Sequence, residues 1–299
     1  MNVGLVGLGK MGGGIARRLL AGGHGVTGFD PDPAARAAGA ALGIQVVDAL
    51  ADLAASGPDV VWMMVPAGEA VDAVIATLDP VLPDETVLVD GGNSNYRDTR
   101  RRHDALAATG RRYLDVGTSG GVWGADNGYC LMVGGPADQV ESVRPILETL
   151  AAAPDQGWGR VGSGGAGHYV KMVHNAIEYG MMQAIAEGFA LLDAHPDYEF
   201  DGADIARLWS HGSVVRSWLV DLTGAALARD PRLDHAKATV DDSGEGRWAV
   251  AEAIDLDVAA PVITHALIHR IQSRDRSAYS SRLLSALRRE FGGHNADPE

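Results

Sequence analysis

One cysteine, three lysines and four phenylalanines are all that this chain of 299 residues contains of those types. Each scarcity excludes something. A single cysteine, Cys130, cannot form an internal disulfide and fits a reducing compartment. It lies in the apolar run YCLMV (129–133), so it is expected in a core rather than as a nucleophile. No apolar run approaches the roughly 18 residues that a membrane helix needs. Strand-like sequence begins at Asn2, which leaves no room for a secretory signal, so a cytoplasmic protein is expected. Positive charge is scarce too: 25 Lys and Arg face 39 Asp and Glu, a net charge of −14. That balance argues against nucleic acid as a partner, and an anionic substrate would have to meet a local cluster of cations.

The three lysines are Lys10, Lys171 and Lys237. Arginine keeps its proton near neutral pH, whereas a buried lysine can be tuned into a base. Lys171 stands in GAGHYVKMVHNAIEYG (165–180) with His174, Asn175 and Glu178, at offsets 0, 3, 4 and 7. In a helix these positions share one face. Val170, Met172, Val173, Ala176, Ile177, Met181 and Met182 surround them, so the helix is expected to be buried. A buried lysine and glutamate are costly unless paired or used, and the stripe therefore asks for a polar ligand. The competing structural reading is an ion pair within a helix bundle. A separation of seven exceeds the three or four residues of a direct helical pair.

The start of the chain carries a second pattern. An apolar strand (NVGLVG, 2–7) runs into GLGKMG, with glycines at 7, 9 and 12. A helical pattern follows, then a strand at 25–29 ending in Asp30. Strand, G-x-G-x-x-G, helix, strand and acid form the dinucleotide-binding fingerprint. Gly7 permits the turn, Gly9 lets backbone N–H groups approach a pyrophosphate, and Gly12 lets the helix pack on the sheet. Leu8 and Met11 belong to the same turn. Asp30 can accept both ribose hydroxyls and would repel a 2′-phosphate, so NAD is favoured over NADP. A bare glycine-rich surface turn is the alternative.

Strand candidates at 59–65, 86–90 and 129–133 alternate with helical segments at 68–78 and 137–150. The expectation is an α/β Rossmann-like, doubly wound parallel sheet covered on both faces. Ligands bind at the carboxyl ends of such strands. Three loops lie there: VPAG (65–68, with Val65 and Pro66), DGGNS (90–94, with Asn93 and Ser94) and TSGGVWGADNG (118–128, with Ser119, Gly120 and Gly121). Beyond Gly167 glycine thins out, and helices are expected near 167–193, 203–209, 214–228, 247–256, 259–273 and 277–290. Two domains follow, residues 1–164 and an all-helical 165–299 with a tail (RREFGGHNADPE) expected to fray. No cluster has metal-ligand spacing; HALIHR (265–270) reads as helix surface or phosphate neighbourhood, not as a zinc site.

Taken together, GLGKMG, DGGNSNYRDT, SGGVWGADNG, GAGHYVKMVHNAIEYG and FGGH (291–294) resemble the decarboxylating 6-phosphogluconate dehydrogenases, in their short, NAD-using bacterial form. The resemblance implies oxidation of 6-phosphogluconate to ribulose 5-phosphate and CO2, in pentose phosphate or gluconate metabolism. It implies Lys171 as general base at the 3-hydroxyl and Glu178 as the acid that protonates C1. Asn93, Ser119, Gly120, Gly121, His174 and Asn175 would position the sugar acid and nicotinamide. Tyr179 and Arg270 would bind its phosphate. Arg288 and His294 match tail residues that reach a neighbouring subunit's site, which implies a homodimer or homotetramer.

Three departures stand against the long members of that family. Their lysine-bearing Q-K-G-T-G run is DDSGEGRW (241–248) here, where Arg247 could compensate. The acid after S-G-G is Val122. The Asn-Arg-Thr that suits NADP is Asp30-Pro31-Asp32. The rival readings are a β-hydroxyacid dehydrogenase of the 3-hydroxyisobutyrate type, which has no use for Glu178 or DGGNS, and a non-catalytic NAD-binding sensor, which predicts a broken Lys171–Glu178 pair. Singly, His174 also reads as a satisfied core histidine, and Arg270 as helix surface.

Overall fold

The computed structural model describes residues 1–292. They form two compact units, Met1–Asn175 and Ala176 onward.

The first unit is built on eight strands: β1 (Asn2–Val6), β2 (Gly25–Phe29), β3 (Gln45–Val46), β4 (Val60–Met63), β5 (Val87–Asp90), β6 (Arg112–Ser119), β7 (Cys130–Gly134) and β8 (Trp158–Gly162). They lie in the order β3-β2-β1-β4-β5-β6-β7-β8. The order reverses direction at β1, which places a crevice beside the carboxyl ends of β1 and β4. Helices α1 (Lys10–Ala21), α2 (Pro33–Ala41), α3 (Glu69–Leu78), α4 (Tyr96–Ala108), α5 (Gly124–Asn127), α6 (Ala137–Ser142) and α7 (Arg144–Leu150) connect them.

Alternation along the strands sorts two cores. Val3, Leu5, Val60, Trp62, Val87 and Val89 point to one face, with Ile15 and Leu19 of α1 and Ile146 and Leu147 of α7. Val6, Val61, Met63 and Leu88 point to the other, with Val71, Val74 and Leu78 of α3. Both faces are covered, so these strands read as continuous apolar runs.

The structure corrects the expectation in four places. β7 runs antiparallel to β6, pairing Asp115 with Gly134 and Ser119 with Cys130. The link between them is too short for the crossover of a dozen or more residues that a parallel pair requires. β6 and β8 were not among the expected strands, because RYLDVGTS and WGRVG are interrupted by glycine and polar residues. The helix expected at 137–150 is two helices, parted at Val143 just before Pro145. Cys130, expected in the core, is exposed. It is the first residue of β7, and burial along that strand begins with Leu131.

The second unit is helical. α8 (Ala166–Asp193) begins in the first unit and continues into it, followed by α9 (Gly202–Trp209), α10 (Trp218–Arg229), α11 (Glu245–Asp255), α12 (Pro261–Ser273) and α13 (Tyr279–Gly292). Tyr179, Ala266 and Leu267 are its buried nucleus. Residues 288–292, placed in a frayed tail by the sequence, continue α13. No helix among the described residues is long and apolar enough to cross a membrane.

Candidate functional site

The glycine turn has the shape its sequence requires. Gly7 has φ of +94°, and a Cβ there would lie 2.4 Å from the Met64 carbonyl oxygen. A Cβ at Gly12 would lie 1.9 Å from the Gly7 oxygen, whereas one at Gly9 would meet nothing within 4 Å. Gly9 is therefore the open position, facing outward at the start of α1. It caps α1 without a side-chain acceptor, so the first-turn N–H groups and the positive end of the helix dipole are free to meet a phosphate. Asp30 closes the crevice. Its carboxylate accepts from the Leu8 N–H at 2.8 Å and the Asp32 N–H at 2.8 Å. These residues fit a dinucleotide: close-approach backbone, an uncapped helix terminus and an acid held beside the turn. Leu8 is buried, Met11 and Val65 half-buried, and Pro66 and Asn93 exposed.

The second cluster lies where α8 meets β6. Asp115, fully buried, accepts from the backbone N–H groups of Gly165 (2.8 Å) and His168 (2.9 Å), and so caps α8 from a neighbouring strand. His168, also buried, shares a 2.8 Å hydrogen bond from Nδ1 to the Thr99 hydroxyl. The cap sets the register of the helix, and one turn later comes Lys171, only 6% exposed. Its Nζ donates to Asn175 Oδ1 at 2.6 Å. His174 Nδ1 lies 3.0 Å from the same oxygen, and its Nε2 lies 3.3 Å from the Ser119 hydroxyl. An amide oxygen only accepts, so His174 Nδ1 is the donor in the bond to Asn175. Lys171, His174, Asn175 and Ser119 are thus brought together, with Gly120 and Gly121 continuing the turn at φ of +129° and +51°.

The expectation that this helix is buried holds for one face and is corrected for the other. Met172, Asn175, Ala176 and Tyr179 form a buried face, while Val170, Val173, Ile177, Met181 and Met182 are 36–51% exposed. Glu178 is half-buried.

The third cluster belongs to the second unit. The Arg270 guanidinium lies over the Tyr179 ring, 3.6 Å from its centroid, and donates to the Asp241 carbonyl at 2.7 Å. The Tyr179 hydroxyl accepts from the Ser243 N–H at 3.1 Å. A Cβ at Gly246 would stand 2.6 Å from the Tyr179 ring, so the 241–248 run wraps tightly around this tyrosine. Asp242 accepts from Arg247 at 3.0 and 3.1 Å and from Arg274 at 2.6 Å. These guanidinium bonds pull its carboxyl down to about 2. Three arginines, a tyrosine and a serine gathered around the 241–248 run suit a phosphate dianion. Arg288 is exposed on α13, and His294 lies outside the described residues.

Sequence reasoning missed Asp115, Asp242, Ser243 and Arg274. Arg274 had a signal, four residues beyond Arg270 on one helix face. Asp115 had none, because its partners are some fifty residues away. Among the described residues, no group of three His, Cys, Asp or Glu is placed to hold a metal ion.

A doubly wound sheet with a phosphate-binding glycine turn, followed by a helical unit, defines a two-part dinucleotide-binding protein. The model for the NAD binding domain of 6-phosphogluconate dehydrogenase matches residues 2–163, and that for the 6-phosphogluconate dehydrogenase C-terminal domain matches 167–295. An NAD(+)-dependent, decarboxylating 6-phosphogluconate dehydrogenase of Haloferax volcanii is 43% identical over 297 residues, 98% of each chain. Among solved structures, a Plasmodium falciparum 6-phosphogluconate dehydrogenase studied with NADP+ and with 6-phosphogluconate aligns over 100% of this chain and 66% of its own, at 25% identity and a TM-score of 0.84. A Mycobacterium tuberculosis 3-hydroxyisobutyrate dehydrogenase aligns over 92% and 94% at 26% identity and a TM-score of 0.74. The chain belongs to the 6-phosphogluconate dehydrogenase family.

Proposed function

We propose that this protein oxidises and decarboxylates 6-phosphogluconate to ribulose 5-phosphate and CO2, with NAD as its cofactor. The observation that carries the mechanism is a buried lysine held by Asn175 beside the His174–Ser119 pair. The first-turn amides of α1, with Gly7, Gly9 and Gly12, would hold the pyrophosphate, and Asp30 the adenosine ribose. Val65, Pro66 and Asn93 would line the nicotinamide end. When bound, NAD supplies a hydride acceptor.

Lys171 Nζ, in its neutral form, takes the proton from the 3-hydroxyl of the sugar acid. Asn175 orients that nitrogen through the bond to Oδ1. The protonated Nζ then donates to the 3-keto oxygen, so the electrons left by departing CO2 are drawn toward a polarised carbonyl. Glu178, two turns along the same helix, gives its proton to C1 of the enediol. Each is a positioned proton transfer, of the kind worth about 10²–10⁴ in rate. Ser119, Gly120, Gly121, His174 and Asn93 would hold the hydroxyls. Tyr179 and Arg270, with Arg247 and Arg274 beside them, would hold the phosphate.

Asp30 supports NAD over NADP, because a carboxylate at the ribose repels a 2′-phosphate. We propose residues 1–164 as the dinucleotide domain, since β8 ends at Gly162 and α8 begins at Ala166. Arg288, with His294, would serve a second copy's site in a homodimer or homotetramer.

Purified protein given 6-phosphogluconate should reduce NAD faster than NADP and release one CO2 per nicotinamide reduced. Activity on a small 3-hydroxy acid instead, without CO2, would overturn the reading in favour of a β-hydroxyacid dehydrogenase.

A further inference from the structure

The loops at 65–68 and 90–94 follow neighbouring strands, and glycines press them together. A Cβ at Gly92 would lie 3.0 Å from the Val65 carbonyl oxygen, and one at Gly91 would lie 2.2 Å from Trp62 Nε1. Glycines bring backbones close but supply nothing to hold them there. One side chain does. Arg102 on α4 is 2% exposed at its side chain. Its Nε and Nη2 fork onto the Asp72 carboxylate at 2.8 and 3.0 Å, and Nη2 also donates to the Gly68 carbonyl at 2.9 Å. Gly68 is the N-cap of α3, and Asp72 lies in its first turn. On the other side, Arg102 Nη1 stands 3.8 Å from Asp90 Oδ2.

Asp90 in turn shapes the glycine-asparagine loop. It accepts from the Ser94 hydroxyl at 2.7 Å, the Gly92 N–H at 3.2 Å and the Tyr113 hydroxyl at 3.3 Å. A single buried guanidinium therefore sits between the carboxylate that forms one loop and the carbonyl that ends the other. Burying a cation is expensive, so its position calls for a reason. Fastening α3 to α4 is not sufficient reason, because Arg101, half-exposed, also donates to both oxygens of Asp72 at 3.0 Å. What Arg102 adds is the pair Gly68 and Asp90.

We infer that Arg102 is a positioning residue of the cofactor site: it sets the spacing between the 65–68 and 90–94 loops, and through Asp90 the placement of Asn93. This rests on the reading of those loops as walls of an NAD site. A lysine cannot span the fork and the carbonyl together, so even the conservative change should loosen the spacing.

The test compares Arg102→Met and Arg102→Lys with an Arg101→Gln control that weakens Asp72 without touching Gly68 or Asp90. Two readouts are taken on the full-length protein. The first is amide hydrogen exchange by mass spectrometry without cofactor. The Met variant should exchange residues 66–71 and 91–95 about tenfold faster, with the strands β1 and β4 unchanged. The second is steady-state kinetics with 6-phosphogluconate. The KM for NAD should rise about tenfold, that for the sugar acid less than about threefold, and Lys should recover part of the loss. The control should match the unmodified protein in both. Should the Met variant fail to fold, the Lys variant carries the same comparison. Unchanged exchange in the two loops, or faster exchange spread evenly over the sheet, would overturn the inference. A protein that never reduces a nicotinamide would sink the proposed function instead, and the exchange result would still decide the role of Arg102.

Discussion

Gly117 and Lys171 leave no room for a second side chain between them. A Cβ at Gly117 would stand 2.4 Å from Lys171 Cβ and 2.8 Å from the Gly167 carbonyl oxygen. The helix can lie this close to β6 only because position 117 is bare. Gly117→Ala must push α8 outward and carry Lys171 with it. A displacement of about 1 Å costs about 10² in rate. The expected result is a fall of that order in kcat, with KM for the sugar acid changed less. Unaltered kcat would show that Lys171 does not depend on this contact.

The proposed mechanism gives Lys171 and Glu178 different proton-transfer duties, and first-turnover kinetics separate them. Lys171→Met should abolish nicotinamide reduction even in the first turnover. Glu178→Gln should retain a first-turnover burst and slow steady-state product formation by about 10²-fold or more. Stopped-flow absorbance of the reduced nicotinamide distinguishes the two. Equal loss of the burst in both variants would remove Glu178 from the protonation step.

Asp30 is held beside the glycine turn by the Leu8 and Asp32 N–H groups, and in the proposed function it meets the cofactor ribose. A carboxylate about 4 Å from a phosphate charge in a partly solvated site is worth about 1–4 kcal/mol of repulsion. Asp30→Asn keeps an acceptor for the Leu8 N–H and removes the charge. The ratio of kcat/KM for NAD over NADP should fall about tenfold or more, since each 1.4 kcal/mol is tenfold. An unchanged ratio would mean that Asp30 does not select the cofactor.

Arg270 meets Tyr179 and the Asp241 carbonyl in the same cluster. Arg270→Met should raise KM for 6-phosphogluconate by about tenfold to a hundredfold, the loss of a charge-assisted pair worth about 1.5–3 kcal/mol. Gluconate without its phosphate should be a poor substrate for the unmodified protein and should lose little further activity in the variant. A large additional loss on gluconate would show that Arg270 acts on something other than the phosphate.

Asp242 ties Arg247 and Arg274 together through a side chain that is 6% exposed. Its folded-state carboxyl is lowered from 3.8 to about 2, first by the Arg247 hydrogen bond. A depressed carboxyl stabilises the fold above its unfolded value and loses that contribution as pH falls through the folded value. The window therefore runs from about pH 4 down to pH 2, and the contribution at neutral pH is about 2 kcal/mol. Asp242→Asn should lower unfolding free energy in urea by about that amount at pH 7, and the gap should narrow as pH drops below 4. A gap independent of pH would place the effect in packing rather than charge.

Local chemistry made much of this protein legible in one dimension. The glycine turn, Asp30 and the stripe from Lys171 to Glu178 act over a few residues, and strand alternation and helix period act over a few more. Those signals named the fold class, and they marked the glycine turn and the Lys171–Glu178 stripe on which the proposed function rests. Tertiary structure alone decided what depends on distant partners. Asp115 becomes the cap of α8 only when β6 reaches it. Arg102 becomes a tie between two loops only because α4 returns beside α3. Cys130 is exposed because burial along β7 starts one residue later. Hydrogen bonds and burial reward spatial neighbours whatever their separation along the chain, and a sequence displays only the neighbours that are near in both senses.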